Sequence, residues 1–288
     1  MICFYRNEID SCACANIVST HLKIRDKNAY ILYTGMENID IESLKCTNIW
    51  FAGIPFTEKD IPYIKQLLTL NITIVWYDDH KSSSKLIKKY PFLKNIHGNV
   101  DINKSSSCAL YTKLFAKRVN DLPHYLQLIN EYEMTKKTFS VRSEVLSFIY
   151  GMSKEYYNPL AGVWDAFYFG FITAHNIKER GKDIIKYASY LNSINLSDNS
   201  YIATYNNMNY LCINNDLQHE ILDINLPIDN TIIIVSWYFD GVKYQYTASS
   251  RSISRACLHE FKDIDTMHGN ENYVKFSSDK NIFVNRRG

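Results

Sequence analysis

Glycine and proline are scarce in this chain, which has only 10 and 6 of them among 288 residues. With 46% hydrophobic and 22% charged residues, the composition excludes a disordered or fibrous protein. A strong excess of one charge is also absent, because 32 basic and 30 acidic residues leave a net charge of +2. This balance argues against a non-specific nucleic-acid binder held by bulk charge, although it allows a local basic groove.

Two further features are missing from the sequence. The seven cysteines form no CxxC pair and no zinc-finger spacing, so we expect free thiols in a reducing cytosol. No run of about 18 apolar residues occurs, which excludes a membrane helix, and no signal peptide is evident at the N-terminus. We therefore expect a cytoplasmic protein without membrane association. Abundant Asn, Ile, Tyr and Lys is typical of a virus or an AT-rich microbe.

The first half of the chain alternates between strand-like and helix-like segments. Short apolar runs predict strands, and the segment from Ser11 to Leu22 predicts a helix. Thr57 is a candidate N-cap for a helix through Leu70, with Asp60 three residues on. This alternation predicts an α/β fold with a parallel sheet. The predicted strands are Ile2–Tyr5, Ala29–Tyr33, Ile49–Ala52 and Ile72–Tyr77.

The second half predicts a helical connector followed by a smaller α/β domain with a mixed sheet. Residues 136–194 are mostly helical in pattern, and Trp164 to Tyr190 predicts one long helix that is interrupted near Gly181. After Asn195 the chain becomes rich in strand formers, and Asp240–Gly241 predicts a hairpin turn. We therefore expect three parts, residues 1–135, 136–194 and 195–288. A helix from Ile253 to Phe261 and a last strand at 273–276 complete the third part.

A strand that ends in metal-capable side chains is the most informative feature of the sequence. The apolar run from Ile72 to Tyr77 stops at Asp78, Asp79 and His80. Because open α/β sheets place ligand sites at the carboxyl ends of their strands, this position favours a site. An ordinary polar turn is the alternative.

A second acidic strand end follows the first predicted strand. Glu8 and Asp10 lie between that strand and a helix, so both can point into one cleft near the helix N-terminus, whose dipole favours negative groups. The alternative is an ordinary acidic first turn of a helix.

These segments resemble motifs of the DHH phosphoesterase family, and the resemblance covers essentially the whole chain. The family motif FYHNDLDG matches FYRNEIDS at residues 4–11, and Asp-His-His matches Asp78–Asp79–His80. A pattern like VDFSF matches residues 51–56, where Gly53 replaces the aspartate. A pattern like LIADRDxW matches residues 128–134, where Glu131 and Glu133 take the acidic positions.

The C-terminal part resembles the DHH-associated domain of two-domain members. Family members have SLRS before a helix, and this chain has Ser249–Ser250–Arg251–Ser252. Their GGGHxNAAGF turn corresponds to residues 267–276, where Gly269 is kept and Asn270 aligns with the family's histidine. The resemblance implies that Arg251, with Ser250 and Ser252, binds a substrate phosphate. The turn, with His268, Gly269 and Asn270, adds further contacts.

The resemblance also implies a centre of two divalent metal ions, manganese or magnesium, that activates a water and acts on a phosphoryl group. Asp79 in place of histidine keeps an oxygen ligand that suits these ions. The implied catalytic residues are Asp78, Asp79 and His80. The implied metal ligands are Glu8, Asp10, Asp78, Asp79, His80 and Glu131.

Two departures from the family weaken that centre. Arg6 replaces a ligand histidine with a permanent cation, which repels metal and can instead pair with Glu8 or Asp10. Gly53 removes the carboxylate expected to bridge the ions. We therefore expect a metal centre that is severely weakened or absent. In either case, we expect the protein to bind a nucleotide or short oligonucleotide. The alternatives are an active metal-dependent phosphodiesterase on short oligonucleotides or cyclic dinucleotides, and a structural or protein-interaction scaffold.

Overall fold

A computed structural model of the chain describes residues 1–42, 44, 46–70, 72–115, 122–135, 141–152, 157–205, 208–214, 233–239, 242–249, 268–269, 273–279 and 282. The chain divides into two compact units. The first unit contains residues 1–134 and 144–181, and the second contains residues 135–143 and 182–288. The boundaries predicted at residues 135 and 194 stay a prediction.

The first unit contains a parallel sheet of five strands with the order β2-β1-β3-β4-β5. All four predicted strands match within one residue at each end, and the fifth strand, β5, was not predicted. The strands are β1 (Ile2–Tyr5), β2 (Tyr30–Leu32), β3 (Asn48–Ala52), β4 (Thr73–Asp78) and β5 (His97–Val100). Each neighbouring pair is parallel. The order places β1, β3 and β4 side by side, so their carboxyl ends meet at one edge of the sheet.

Helices cover both faces of this sheet, as short parallel strands require. They are α1 (Ile9–Leu22), α2 (Ile61–Thr69), α3 (Lys81–Lys89) and α4 (Ser106–Leu114). On one face, Phe51 and Trp76 of the sheet join Leu67 of α2 and Leu86 of α3 in a buried core. On the other face, α1 and α4 contact each other and the strands.

Local sequence signals explain where these helices begin. Thr57 and Asp60 form the predicted capping box, with the carboxylate of Asp60 accepting from the Thr57 backbone N–H at 2.6 Å. A single 3₁₀ turn follows this cap, and α2 then begins at Ile61 with a proline in its first turn. Ser105 caps α4 by accepting from the Cys108 backbone N–H.

Four more helices follow, and one prediction about them was wrong. They are α5 (His124–Thr135), α6 (Ser143–Met152), α7 (Gly162–Tyr168) and α8 (Ala174–Asn199). The helix expected from Trp164 to Tyr190 is broken before Ala174, where Gly170 has a φ of +74°. Gly181 lies inside α8 and does not interrupt it. A Cβ at Gly181 would collide with the backbone oxygen of Ser147 in α6, so glycine permits close helix packing there.

The second unit contains a mixed sheet of six strands with the order β10-β11-β9-β8-β7-β6. These strands are β6 (Ser200–Tyr205), β7 (Met208–Asn214), β8 (Ile233–Phe239), β9 (Tyr244–Ser249), β10 (His268–Gly269) and β11 (Tyr273–Ser278). Strands β7 and β8 are parallel, and the other pairs are antiparallel. The predicted α/β class, with a parallel sheet followed by helices and a mixed sheet, is confirmed.

Two local predictions in the second unit lie outside the described residues. These are the turn at Asp240–Gly241 and the helix from Ile253 to Phe261. Among the described helices, none is both long enough and apolar enough to cross a membrane.

Candidate metal centre

The predicted acidic segments follow β1 and β4, the two strands on either side of β3 in the parallel sheet. One hydroxyl group ties two of these strand ends together. The Oγ of Ser11 accepts from the Arg6 backbone N–H at 2.7 Å and donates to the backbone oxygen of Ala52 at 2.5 Å. It thereby fixes the turn after β1 against the end of β3. The Ser11 side chain therefore fixes the backbone at this edge of the sheet through hydrogen bonds.

Asp78, Asp79 and His80 form a compact group at the end of β4. One potential ligand atom from each lies within 4.8 Å of the other two. The Nδ1 of His80 lies 2.8 Å from Oδ1 of Asp78 and 3.3 Å from Oδ1 of Asp79. Both carboxylates are buried, with 1% and 5% of each residue exposed, whereas His80 is partly accessible. The group therefore combines two buried anions with an imidazole that solvent reaches.

The two carboxylates change the protonation of His80. Burial disfavours its charged form, but hydrogen bonds and charge from Asp78 and Asp79 outweigh burial and raise its pKa from 6.5 to about 9. The ring therefore holds a proton at neutral pH, and Nδ1 donates it toward the carboxylates. A divalent cation at this position would replace that proton.

Asp10 forms hydrogen bonds with the start of α4. Its carboxylate accepts from the backbone N–H groups of Ser106 and Ser107 at 2.9 and 3.1 Å, and from the Ser107 hydroxyl at 2.5 Å. These are the first residues of α4, so Asp10 satisfies the free N–H groups of that helix end. Burial raises the pKa of Asp10, the charge of Asp79 adds to this, and the bonds from Ser107 oppose it.

The start of α4 also joins Asp10 to the group at the end of β4. Ser106 donates its backbone N–H to Asp10 and its hydroxyl to Asp79, the latter at 3.4 Å. We did not predict a functional position for Ser105, Ser106 or Ser107, although a run of serines before a helix is an N-cap signal. Their contacts with Asp10, Asp79 and Asn130 join residues more than 20 positions apart, so only the tertiary structure identifies them.

Glu8 and Asp10 point to different partners rather than into one shared cleft. Glu8 forms an ion pair with Arg6, with 2.8 Å between Oε1 and a guanidinium nitrogen. Both side chains are partly exposed, at 40% and 34%. The internal pair expected for Arg6 is therefore present, with Glu8 as its partner. A carboxylate that is paired with a guanidinium is a poor ligand for a divalent cation.

Gly53 follows β3, between the ends of β1 and β4. Its backbone N–H donates to the oxygen of Tyr77 at 2.9 Å, and its φ is +64°, a conformation that glycine adopts without strain. A Cβ at this position would lie 3.1 Å from Cα and 3.2 Å from Cβ of Ser11. The backbone therefore favours glycine where the family resemblance implies a bridging carboxylate.

The remaining predicted site residues lie elsewhere or outside the described part of the chain. Glu131 lies in α5, next to Asn130, whose side-chain oxygen accepts from the Ser105 backbone N–H at 2.8 Å. Glu131 is not a member of the group at the end of β4. His268 and Gly269 form β10, where they pair with Lys275 and Val274 of β11. The predicted phosphate-binding residues Ser250, Arg251, Ser252 and Asn270 are not among the described residues.

The donor set at the end of β4 fits one divalent cation. Two carboxylates and an imidazole within 4.8 Å of one another are ligands that manganese and magnesium sites use. Among the described residues, no second group of three such side chains is present. Glu8 is paired, Asp10 is hydrogen-bonded to α4, and position 53 has no side chain.

The parallel sheet, with its acidic strand end, and the second, mixed sheet define a two-sheet α/β fold. Structural neighbours of the chain include phosphoesterases of the DHH family. The pGpG-specific phosphodiesterase PggH from Vibrio cholerae matches with a TM-score of 0.56 and 12% sequence identity. The match covers 96% of this chain and 92% of that one.

Two other solved structures match with TM-scores of 0.48. An exopolyphosphatase-related protein from Bacteroides fragilis is 11% identical, with 97% of this chain and 87% of that chain covered. RecJ from Thermus thermophilus, solved in complex with Mn²⁺, is 12% identical, with 98% of this chain and 50% of that chain covered. No family model matches the sequence, and no curated protein does either.

Proposed function

We propose that this protein is a phosphoesterase-like protein that binds the phosphate of a nucleotide or short oligonucleotide, with its two-metal centre eroded to one cation site. The observation that carries the proposal is the group of Asp78, Asp79 and His80 at the end of β4. The engagement of Glu8 by Arg6 and the glycine at position 53 argue against a second ion.

The ligand set limits what the site can do. A single cation held by Asp78, Asp79 and His80 supplies positive charge to a phosphate oxygen. Two-ion hydrolysis needs a pair of ions about 3.5–4 Å apart that clamp the attacking and leaving oxygens. With Gly53 in place of a bridging carboxylate, the described residues offer no group there to hold such a pair. Binding is therefore favoured over rapid hydrolysis.

The residues themselves would act in defined ways. Asp78 and Asp79 would hold the cation, and His80 would release its shared proton when the cation binds. Ser106 and Ser107 hold Asp10 and orient Asp79 through hydrogen bonds. Arg251 stays our candidate for a second contact to the phosphate, on the strength of its sequence motif alone.

A metal-dependent phosphodiesterase on dinucleotides or short oligonucleotides is the second candidate. It is favoured by the same acidic group, because that group keeps three ligands suited to manganese. Its substrate class is proposed by analogy with the structural neighbour PggH, a pGpG-specific phosphodiesterase. A scaffold without any ligand is the third candidate.

One experiment separates these functions. Purified protein is incubated with pGpG and a short oligoribonucleotide, with Mn²⁺ or with EDTA, and both binding and cleavage are measured. The variants are Asp79→Asn and, as a matched control, Glu42→Gln, which changes an exposed carboxylate in the same unit. We expect Mn²⁺-assisted binding that weakens about tenfold or more in Asp79→Asn and is unchanged in Glu42→Gln.

The other outcomes have clear meanings. Turnover of pGpG at many cycles per minute, lost in Asp79→Asn, would replace the binding function with hydrolysis. Absence of binding and of cleavage, under both conditions, would leave only the scaffold.

A further inference from the structure

The edge strand β2 differs from the other edge of the parallel sheet. In the sheet order, β2 and β5 are the two outer strands, and β2 pairs with β1. Strand β5 (His97–Val100) contains a glycine and an asparagine, which are poor strand formers. Strand β2 instead presents two apolar side chains, with Ile31 39% and Leu32 48% exposed. Open edges are commonly protected by lysine or proline, and the three residues of β2 include neither.

The backbone of β2 can accept a further strand. The Tyr33 backbone N–H donates to the oxygen of Tyr5 at 2.7 Å, so Tyr33 faces β1. Successive residues of a strand direct their N–H and C=O groups to opposite edges, so Leu32 directs both of its groups away from β1. A strand added at this edge would form hydrogen bonds with them.

A pocket beside β2 adds apolar surface to this edge. It has a volume of about 310 Å³ and lies within the first unit. A side chain that an added strand carries to this place would meet mainly apolar neighbours. The pocket is lined by Ile2, Phe4, Ile31, Tyr33, Ile39 and Leu44, among others.

The charges before and after β2 have opposite signs. Residues 23–27 hold three basic side chains and one acidic one, whereas residues 33–42 hold three acidic side chains and no basic one. Lys27 and Glu37, both exposed, lie at equal distances in sequence before and after Leu32. Antiparallel pairing of two such edges would bring the basic end of one toward the acidic end of the other. The edge is therefore complementary in charge to a second copy of itself.

We propose that β2 is a self-association site, at which two copies of this chain pair antiparallel about a two-fold axis at Leu32. The same surface serves both copies, and their two parallel sheets continue into each other. Pairing Leu32 with the partner's Leu32 places the partner's Ile31 opposite Tyr33, next to the pocket that Tyr33 lines. The site uses no residue of the acidic group, so this inference is independent of the proposed function.

The length of β2 limits the affinity of this contact. A strand of three residues with its flanking turns forms an interface at the low end of the size range, about 1,200 Å² in total. We therefore expect a reversible dimer with a dissociation constant on the order of 10–100 μM.

Sedimentation equilibrium of the full chain, in EDTA and a thiol reductant, measures this equilibrium from about 1 to 500 μM protein. Leu32→Lys places two cations opposite each other at the axis, so we expect dimerisation to weaken about tenfold or more. The matched control is Leu68→Lys, which changes another exposed leucine of the first unit and is expected to have no effect. Circular dichroism verifies the fold of both variants.

Charge reversal then tests the antiparallel direction. Lys27→Glu and Glu37→Lys each bring like charges together in a dimer of identical copies, so we expect each to weaken association about threefold or more. In an equimolar mixture of the two variants, the mixed dimer regains opposite charges at both contacts. We therefore expect the mixture to associate about as tightly as the wild type, which an effect within one chain would not produce.

Three results would overturn the proposal. A chain that stays monomeric at the highest concentration would leave this edge to a strand of another protein. A dimer that Leu32→Lys leaves intact would place the contact elsewhere. A mixture of the two charge variants that associates no better than either one alone would exclude antiparallel pairing about Leu32. Because EDTA is present and the acidic group is unchanged, none of these results bears on the metal-assisted binding described above.

Discussion

At the scale of single residues, carboxylates that look alike in the sequence have different roles. Glu8 and Asp10 are two positions apart, yet Glu8 forms a partly exposed ion pair and Asp10 is buried at the start of α4. Asp10 has three donors around it, whereas Glu8 has one guanidinium. Their contributions to stability should therefore differ strongly.

Replacement of each by alanine tests this difference. Asp10→Ala leaves two backbone N–H groups and a hydroxyl without a partner, so we expect a loss of about 2 kcal/mol in the free energy of unfolding. The loss is not larger because the substitution also removes the unfavourable burial of the Asp10 carboxylate. Glu8→Ala breaks only a partly exposed pair and should cost less than about 0.5 kcal/mol. Urea unfolding measures both, and equal losses would contradict the assignment.

His80 gives the stability of the protein a pH dependence. Because the pKa of His80 is raised from 6.5 to about 9 in the folded protein, its stabilising contribution is complete below pH 6.5 and is lost as the pH rises through about 9. We expect the advantage of the wild type over His80→Gln to shrink by on the order of 2 kcal/mol across that window.

The measurement is urea unfolding of both proteins in EDTA at several pH values across that window. The difference in the free energy of unfolding between the wild type and His80→Gln could be the same at both ends of the window. That result would mean that Asp78 and Asp79 do not stabilise the protonated form of His80.

At the scale of elements, two glycines show why a helix break was predicted at the wrong place. Glycine lowers helix propensity, so Gly181 was expected to interrupt the long helix. In the structure it allows α8 to pack closely on α6, while the break occurs near Gly170, where φ is +74°. Propensity is a local quantity, and contact with a distant helix overrides it.

Alanine substitutions distinguish a packing glycine from an ordinary one. Gly181→Ala places a methyl group against the backbone oxygen of Ser147, so α6 and α8 must move apart, and we expect a loss of about 2–4 kcal/mol. Gly162→Ala, at the start of α7, meets nothing within 4 Å and should be neutral or slightly stabilising. Thermal unfolding compares the two. A Gly181→Ala variant as stable as Gly162→Ala would contradict the close packing.

Strands were predicted where the segment is apolar, and β5 was missed because its segment is polar. The runs that form β1, β3 and β4 are buried and rich in β-formers, so the sequence was sufficient to find them. Strand β5 reads His97–Gly98–Asn99–Val100, is mostly exposed, and forms because β4 offers it a pairing edge. Pairing between distant segments is not visible in a local pattern.

At the scale of the whole molecule, the sequence predicted the α/β class, the order of a parallel sheet before a mixed one, and the grouping of Asp78, Asp79 and His80. It did not predict the serines that hold Asp10, because their position depends on α4 packing against elements that are distant in sequence. Family resemblance supplied the expectation of a metal centre, and Arg6 and Gly53 are the positions where the sequence departs from that expectation.

The number of manganese ions bound per chain tests this account most directly. Protein freed of metal is titrated with Mn²⁺ near neutral pH, and bound metal is counted by calorimetry and elemental analysis. We predict one ion per chain, with affinity that increases toward pH 9 as the proton of His80 becomes easier to displace, and about tenfold weaker binding in Asp79→Asn. Two ions held with comparable affinity would contradict the eroded centre, and with it the binding function proposed here.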